Sequence, residues 1–256
     1  MSTNRNSNKV KAGDNKNEVK VEVNVGNTSG WVKIVIAVLL TPIVVGVSWH
    51  FTATNTPGVR ERVAAALVNK GVALLGKEGK SGEAIKVYEE FVSRFGADDS
   101  PGVREAVAKA LVSKGETLEQ AGQSGEAIKV FEEIDNRFGK DASPGVRAVV
   151  AAALVNKGAA LGQAGQSGEA IKVFEEVVSR FGEDKSPSMR EQVAKALVNK
   201  GATLGKEGKS GEAIKVYEEV VSRFGKDDSP GVREWVAKAL LYKGVTLGQE
   251  GKSGEA

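Results

Sequence analysis

From residue 57 onward the apolar positions alternate between two helical patterns. In residues 101–118, Val103, Val107, Ala110, Leu111 and Leu118 share one helical face. After a break at Gly122, Ala127, Phe131, Ile134 and Phe138 recur at i, i+4, i+7 and i+11, the stripe of an amphipathic helix. The pair of patterns then returns. The serine of a Ser-Gly-Glu-Ala phrase stands at Ser81, Ser124, Ser167, Ser210 and Ser253, 43 residues apart each time. A proline opens each unit at Pro57, Pro101, Pro144, Pro187 and Pro230. The first unit carries one extra residue, within GVALLGKEG at 71–79, where residues 201–208 read GATLGKEG. Such regularity predicts an all-α fold, an α-solenoid of stacked helical hairpins over residues 52–256 whose last unit is incomplete.

Local punctuation supports two helices per unit. Ser100-Pro101 supplies an N-cap and a first-turn proline. Gly122 ends the first helix, and Ser124 is the expected cap of the second, with Glu126 in its first turn where the helix dipole favours a negative charge. Gly139 is the expected terminator. Gly201 falls inside a predicted helix, where glycine costs roughly 1 kcal/mol against alanine. Its return in every unit predicts a close approach of the two backbones there. The Ser-Gly-Glu-Ala phrase is therefore the expected turn between antiparallel helices.

These residues carry a family resemblance. Leu197, Gly201, Leu204, Gly208, Ala213 and Tyr217 resemble the signature of the tetratricopeptide repeat: large, small, large, turn glycine, early alanine, aromatic. The set returns at Leu67, Gly71, Leu74, Gly79, Ala84 and Tyr88, at Leu111, Gly115, Leu118, Gly122, Ala127 and Phe131, and at Leu154, Gly158, Leu161, Gly165, Ala170 and Phe174. Three departures stand out. The unit is 43 residues long, against about 34 for the family. The surplus sits around KDDSPGVRE, which should lengthen the first helix and the loop before it. RFG replaces the family's closing proline, and Lys70, Lys114, Lys157, Lys200 and Lys243 replace a leucine before the central glycine.

The resemblance implies a groove for peptides along the inner face of the first helices, and hence a protein or peptide partner. It also implies that an Asn two residues before the central glycine bonds a peptide backbone or carboxylate. That station holds Asn69, Asn156 and Asn199, with Ser113 and Tyr242 in the other units. Four residues earlier stand Lys109, Lys195 and Lys238, with Ala65 and Ala152 elsewhere. Lysine and asparagine together suit an acidic peptide. The competing reading of the same residues is a solvated helix face.

Residues 1–51 have another character. Residues 1–30 are polar, rich in Asn, Lys and Ser, and read as a disordered tail with one alternating stretch, VKVEVNV. Residues 31–51, WVKIVIAVLLTPIVVGVSWHF, hold no formal charge from 34 to 51. As a helix that charge-free stretch is about 27 Å long, close to the hydrocarbon thickness of a bilayer. Trp31 and Trp49 fall where interfacial aromatics belong, and Lys33 can snorkel. A cleaved signal peptide fits less well, because the preceding region is long and partly acidic and no small-x-small site follows. A buried amphipathic helix does not fit, since no face is polar. The expectation is a single transmembrane helix. The basic residues of the tail lean towards a cytoplasmic N-terminus with the repeats outside.

Charge and composition remove several functions. The net charge is +3, and all of it lies in residues 1–33, so the repeat region carries no net positive field. Nucleic-acid binding is therefore not expected. The absence of cysteine removes disulfides and thiol catalysis. GKS at 79–81 lacks the upstream glycine of a phosphate loop. His50 stands alone, and the acidic loops Asp98-Asp99, Asp141, Glu183-Asp184 and Asp227-Asp228 lack calcium-loop spacing and read as turn chemistry. No cofactor, metal or catalytic set is expected. The predicted role is a membrane-anchored interaction scaffold. The alternatives are a structural homo-oligomer and a non-catalytic accessory or sensor subunit. At the C-terminal end, Trp235, Leu241 and Tyr242 replace smaller or polar residues, which suggests an open end that meets a partner or a second copy, or a chain truncated there.

Overall fold

The computed structural model describes residues 80–251, all within the second of the two units into which the chain divides, Met1–Thr56 and Pro57–Ala256. The expected tail, the expected membrane helix and Asn69 lie outside the described residues. Among those described, eight helices follow one another: α1 (Ser81–Phe95), α2 (Pro101–Gln120), α3 (Ser124–Phe138), α4 (Pro144–Gln163), α5 (Ser167–Phe181), α6 (Pro187–Lys206), α7 (Ser210–Phe224) and α8 (Pro230–Gln249). First helices of 20 residues alternate with second helices of 15. The surplus of the long unit thus lies in the first helix and its preceding link, as expected.

Each helix packs on the next, and each first helix also packs on the next first helix, α2 on α4, α4 on α6 and α6 on α8. The backbones of successive second helices stay apart. The first helices therefore form the inner layer, where the stack is tightest, and the second helices form the outer layer. This explains why α4 buries residues nearly all round, including Val146, Val150, Leu154, Val155 and Leu161. By length and apolarity α4 could cross a membrane, but 56% of its most apolar window is buried in the stack. Its composition is that of a core helix. The second helices bury one stripe only, such as Ala170, Val173, Phe174, Val177 and Phe181 in α5.

The central glycines are seats for aromatic rings. A Cβ on Gly158 would lie 2.5 Å from the Phe174 ring, and one on Gly201 would lie 2.5 Å from the Tyr217 ring. Phe131 covers Gly115 in the same way. The expected close approach of backbones is thus the seating of a second-helix ring on a first-helix backbone. The turns from first to second helix are glycine-dependent too. Gly122, Gly165 and Gly208 have φ of 74°, 78° and 75°, and the amide of the next residue closes a bond to the carbonyl five residues back, Gln123 N to Leu118 O at 2.8 Å. That is a Schellman cap. Two expectations need correction. Ser124 is the first helical residue and makes no capping bond; Gln123 occupies the cap position. Gly139 is in the right-handed region, φ −59° and ψ −22°, so it is not a left-handed terminator. It still stands where the helix ends; an added Cβ would collide with Asp135, and its carbonyl accepts Arg180 at 2.9 Å. Arg137 on Gly96 and Arg223 on Gly182 repeat the contact.

Two series of ion pairs seal successive units. Lys114–Glu89, Lys157–Glu132, Lys200–Glu175 and Lys243–Glu218, at 2.7–3.0 Å, join each first helix to the second helix before it. The lysine that departs from the family pattern therefore has a partner in every described unit. The acidic loops are turns, as expected. Asp141 Oδ1 accepts the Ser143 amide at 2.8 Å and Asp227 Oδ1 that of Ser229 at 2.8 Å. The same carboxylates reach Arg104 at 3.0 Å and Arg190 at 3.1 Å in the preceding first helices. Asp184 repeats the arrangement with Ser186 and Arg147. The serine bonds first, then the arginines, hold Asp141, Asp184 and Asp227 below the usual carboxylate range.

Gly201→Ala should destabilise the array by up to about 2 kcal/mol, because overpacking costs roughly 1–3 kcal/mol and helix propensity returns about 1. Gly205→Ala, with nothing within 4 Å of the added Cβ, should leave stability unchanged or raise it; urea midpoints compare the two. For the aspartates, a depressed folded value means stability present above the ordinary 3.8 and lost as pH falls through the folded value. Replacing Asp141, Asp184 and Asp227 by Asn should flatten the acid limb of a thermal-melt series below about pH 4.

Candidate protein-interaction face

The outward stripe of the inner layer is set by helical period. In α6 it runs through Gln192, Lys195 and Asn199, and in α8 through Trp235, Lys238 and Tyr242. Corresponding positions are Ala106, Lys109 and Ser113 in α2, with Glu116 three residues further along the helix, and Val149, Ala152 and Asn156 in α4. All the described candidates therefore lie on one face. They do not all stand free.

Asn156 is the middle of a relay. Its amide donates to Glu116 at 2.9 Å, and its carbonyl accepts Lys195 Nζ at 3.2 Å, so three successive first helices are tied together. Burial pushes Lys195 down, Glu116 and Glu191 pull it back up, and Lys238 adds to the lowering. Lys195 Nζ also lies 6.0 Å from the Trp235 ring centre, and Lys238 Nζ lies over the same ring at 4.0 Å, both within cation–π range. Lys238 pairs with Glu234 at 2.6 Å and Lys109 with Glu105 at 2.6 Å, each one helical turn away. Asn199 lends its backbone carbonyl to Thr203 at 2.9 Å, and its side chain faces the stripe. Tyr242 stacks at a tilt on Tyr217, ring centres 6.1 Å apart, and burial raises Tyr217 to about 12.

Glu116 and Trp235 belong to this face although the family pattern does not mark them. The signal for the relay lies in pairs of residue types 39 residues apart, the spacing of Asn156 and Lys195. Lys238 follows Asn199 at that spacing and Lys109 follows Asn69 at 40, the first unit carrying one extra residue, whereas Ala152 follows Ser113 at 39. Lysine and asparagine occur together, and alanine and serine occur together, as contact between the two stations requires.

The outer side has a cleft of about 180 Å³ bordered by Phe138, Arg147, Arg180 and Phe181. Arg180 is committed to Asp135 at 2.8 Å, Glu176 at 2.6 Å and the Gly139 carbonyl. Arg180 is therefore a structural staple, and Arg147 at the same cleft faces Asp184 at 3.4 Å. Among the described residues no group of three His, Cys, Asp or Glu side chains is placed to hold a metal.

The tetratricopeptide repeat family model matches residues 151–183 and 194–227. Each match starts inside a first helix, α4 or α6, and runs through the second helix that follows. The unmatched residues between them, 184–193, contain the link and the opening turns of α6. The match and the packed helical hairpins together support a tetratricopeptide repeat protein. No curated protein matches the chain.

A lysine with a lowered folded value binds its proton less readily than the unfolded chain does. Stability should therefore rise with pH between that value and the ordinary 10.5. Nuclear magnetic resonance titration of the Lys195 side chain should give a midpoint below 10.5, and Lys195→Met should remove its share of the alkaline rise. A midpoint at or above 10.5 would contradict the burial described.

Proposed function

We propose that this chain is a non-catalytic scaffold that gathers protein partners, holding an acidic segment along the inner stripe of α2, α4, α6 and α8. Tetratricopeptide repeats generally mediate protein–protein interaction and are typically non-catalytic, which supports the broad reading. The finer one is carried by the convergence of Lys195 and Lys238 on Trp235. The two lysines have different parts. Lys195 is held by Asn156 and forms a fixed wall. Lys238 and Glu234 are a surface pair, with side chains 36% and 63% exposed, and such solvent-screened one-turn pairs contribute little. A partner carboxylate can displace Glu234 at little cost and sit against the Trp235 ring edge. Lys109 and Glu105 offer the same exchange three units away, and Asn199 offers an amide between the two pairs.

The charge-free run at 34–51, with its flanking tryptophans, supports a membrane tether, and the basic tail favours a cytoplasmic N-terminus with the repeats on the other side. Crosslinking of the full chain in its native membrane identifies the partner. Trp235→Ala with Lys238→Ala should then reduce capture about tenfold, the loss of roughly 1.4 kcal/mol, and raised salt should weaken capture of the parent chain. Undiminished capture by the double variant would refute the assigned face. Fractionation of a chain lacking residues 31–51 tests the tether: it should leave the membrane fraction.

A further inference from the structure

Lys195 is held differently from the lysines around it. The other half-buried lysines among the described residues, Lys80, Lys114, Lys157, Lys200, Lys238 and Lys243, each meet a glutamate. Lys195 makes no ion pair with a described residue. Glu191, one turn before it, corresponds to the Glu105 that pairs with Lys109 and the Glu234 that pairs with Lys238, but it lies against Gly231. The Lys195 ammonium meets the neutral Asn156 carbonyl instead, at 3.2 Å.

This setting weakens the hold of Lys195 on its proton. An amide oxygen compensates a positive charge less than a carboxylate does. The Trp235 ring, 6.0 Å from Nζ, covers one side with apolar surface, and lost hydration disfavours a charged amine. Lys238, though paired with Glu234, lies over the same ring at 4.0 Å, and a like charge opposes a second one. Burial lowers Lys195 and Lys238 adds to the lowering, while Glu116 on α2 and Glu191 on its own helix oppose them. The neutral amine is the nucleophilic form, and desolvation beside another cation activates a lysine in this way. Approach stays open on the α4 side, where the same station holds Ala152, a short side chain that is itself partly exposed.

We propose that Lys195 is a modification site within the groove, whose amine takes small acyl groups from activated donors such as thioesters or acyl phosphates, ahead of the exposed lysines of the second helices. Nζ attacks the acyl carbonyl carbon and a C–N bond forms. The bond from that carbon to sulfur or phosphate oxygen breaks, the leaving group departs with the electron pair, and the surplus proton on nitrogen passes to solvent. The product amide keeps one N–H for the Asn156 carbonyl and loses the positive charge. Acylation therefore neutralises the fixed cationic wall of the groove. That consequence rests on the acidic-partner reading above; the acylation itself does not.

The full chain is treated with acetyl phosphate at neutral pH to low occupancy. Peptide mapping by mass spectrometry then compares initial labelling of Lys195 with that of Lys172 and Lys215, both exposed on second helices. Lys195 should react at least about threefold faster, and its rate should level off at a lower pH than theirs. Trp235→Ala returns water to the amine and should remove the lead, whereas Trp235→Phe should keep most of it; circular dichroism checks that both variants are folded. Equal or slower labelling of Lys195 in the folded parent chain would overturn the proposal. A lead that survives in urea, or in the folded Trp235→Ala chain, would overturn it too, because the packed site would not be its cause. Labelling is read without any partner, so a failed partner capture counts against the groove reading and not against this one.

Discussion

The seating of a second-helix ring on a first-helix glycine is the contact from which the rest of the array follows. Phe131 on Gly115, Phe174 on Gly158 and Tyr217 on Gly201 each bring two helices to a separation that any Cβ would forbid. Glycine in a helix interior is unfavourable by about 1 kcal/mol, and burying an aromatic side chain offsets that with roughly 1.5–3 kcal/mol. With the hairpin closed at this distance, Leu111, Leu154 and Leu197 are sealed beneath it. The next first helix then finds a preformed apolar surface. Stability is thus distributed along the stack in nearest-neighbour steps, and the interface between units matters as much as the unit.

Polar chemistry at those interfaces keeps the register. Each first helix holds the preceding second helix through a lysine–glutamate pair, and each link holds the preceding first helix through an aspartate–arginine pair. The glutamate of each lysine–glutamate pair is about half exposed, so those pairs contribute little energy by themselves, whereas Asp141 and Asp227 are largely covered. Their regular placement instead penalises a slipped register, in which every pair would be broken together. The inner stripe follows the same logic. Lys195, Asn156 and Glu116 join three first helices, so residues suited to binding a partner also brace the face that would bind it.

A second pairing shows how tightly adjacent units are matched. Glu105 lies against Gly145, and Glu191 against Gly231, where a Cβ would collide with the carboxylate. In the unit between, the glutamate station holds Ala148 and the next opening turn holds Ser188. A small side chain admits a larger neighbour. The units are therefore not interchangeable beads. Each is cut to fit the one beside it, and moving a unit along the stack would create clashes or gaps at these stations.

The helical period, the 43-residue repeat, the turn glycines and the inner-stripe candidates were legible along the chain, because each depends on near neighbours. Local reading stopped short where a residue answers to something 40 or so positions away. Gly139 ends its helix as expected, but in the right-handed region, and its carbonyl takes Arg180 from the following unit. Asn156 and Lys195 are candidate ligand groups by position, and the fold also bonds them to each other between adjacent units. The apolar residues of α8 looked like substitutions, and only the stack reveals that Leu240 and Gly244 occupy stations buried elsewhere. Sequence by itself determined the helices and their order, since backbone bonding and turn geometry are short-range. Tertiary structure decided which polar groups are spent on packing and which remain available, since those depend on neighbours that only folding brings together.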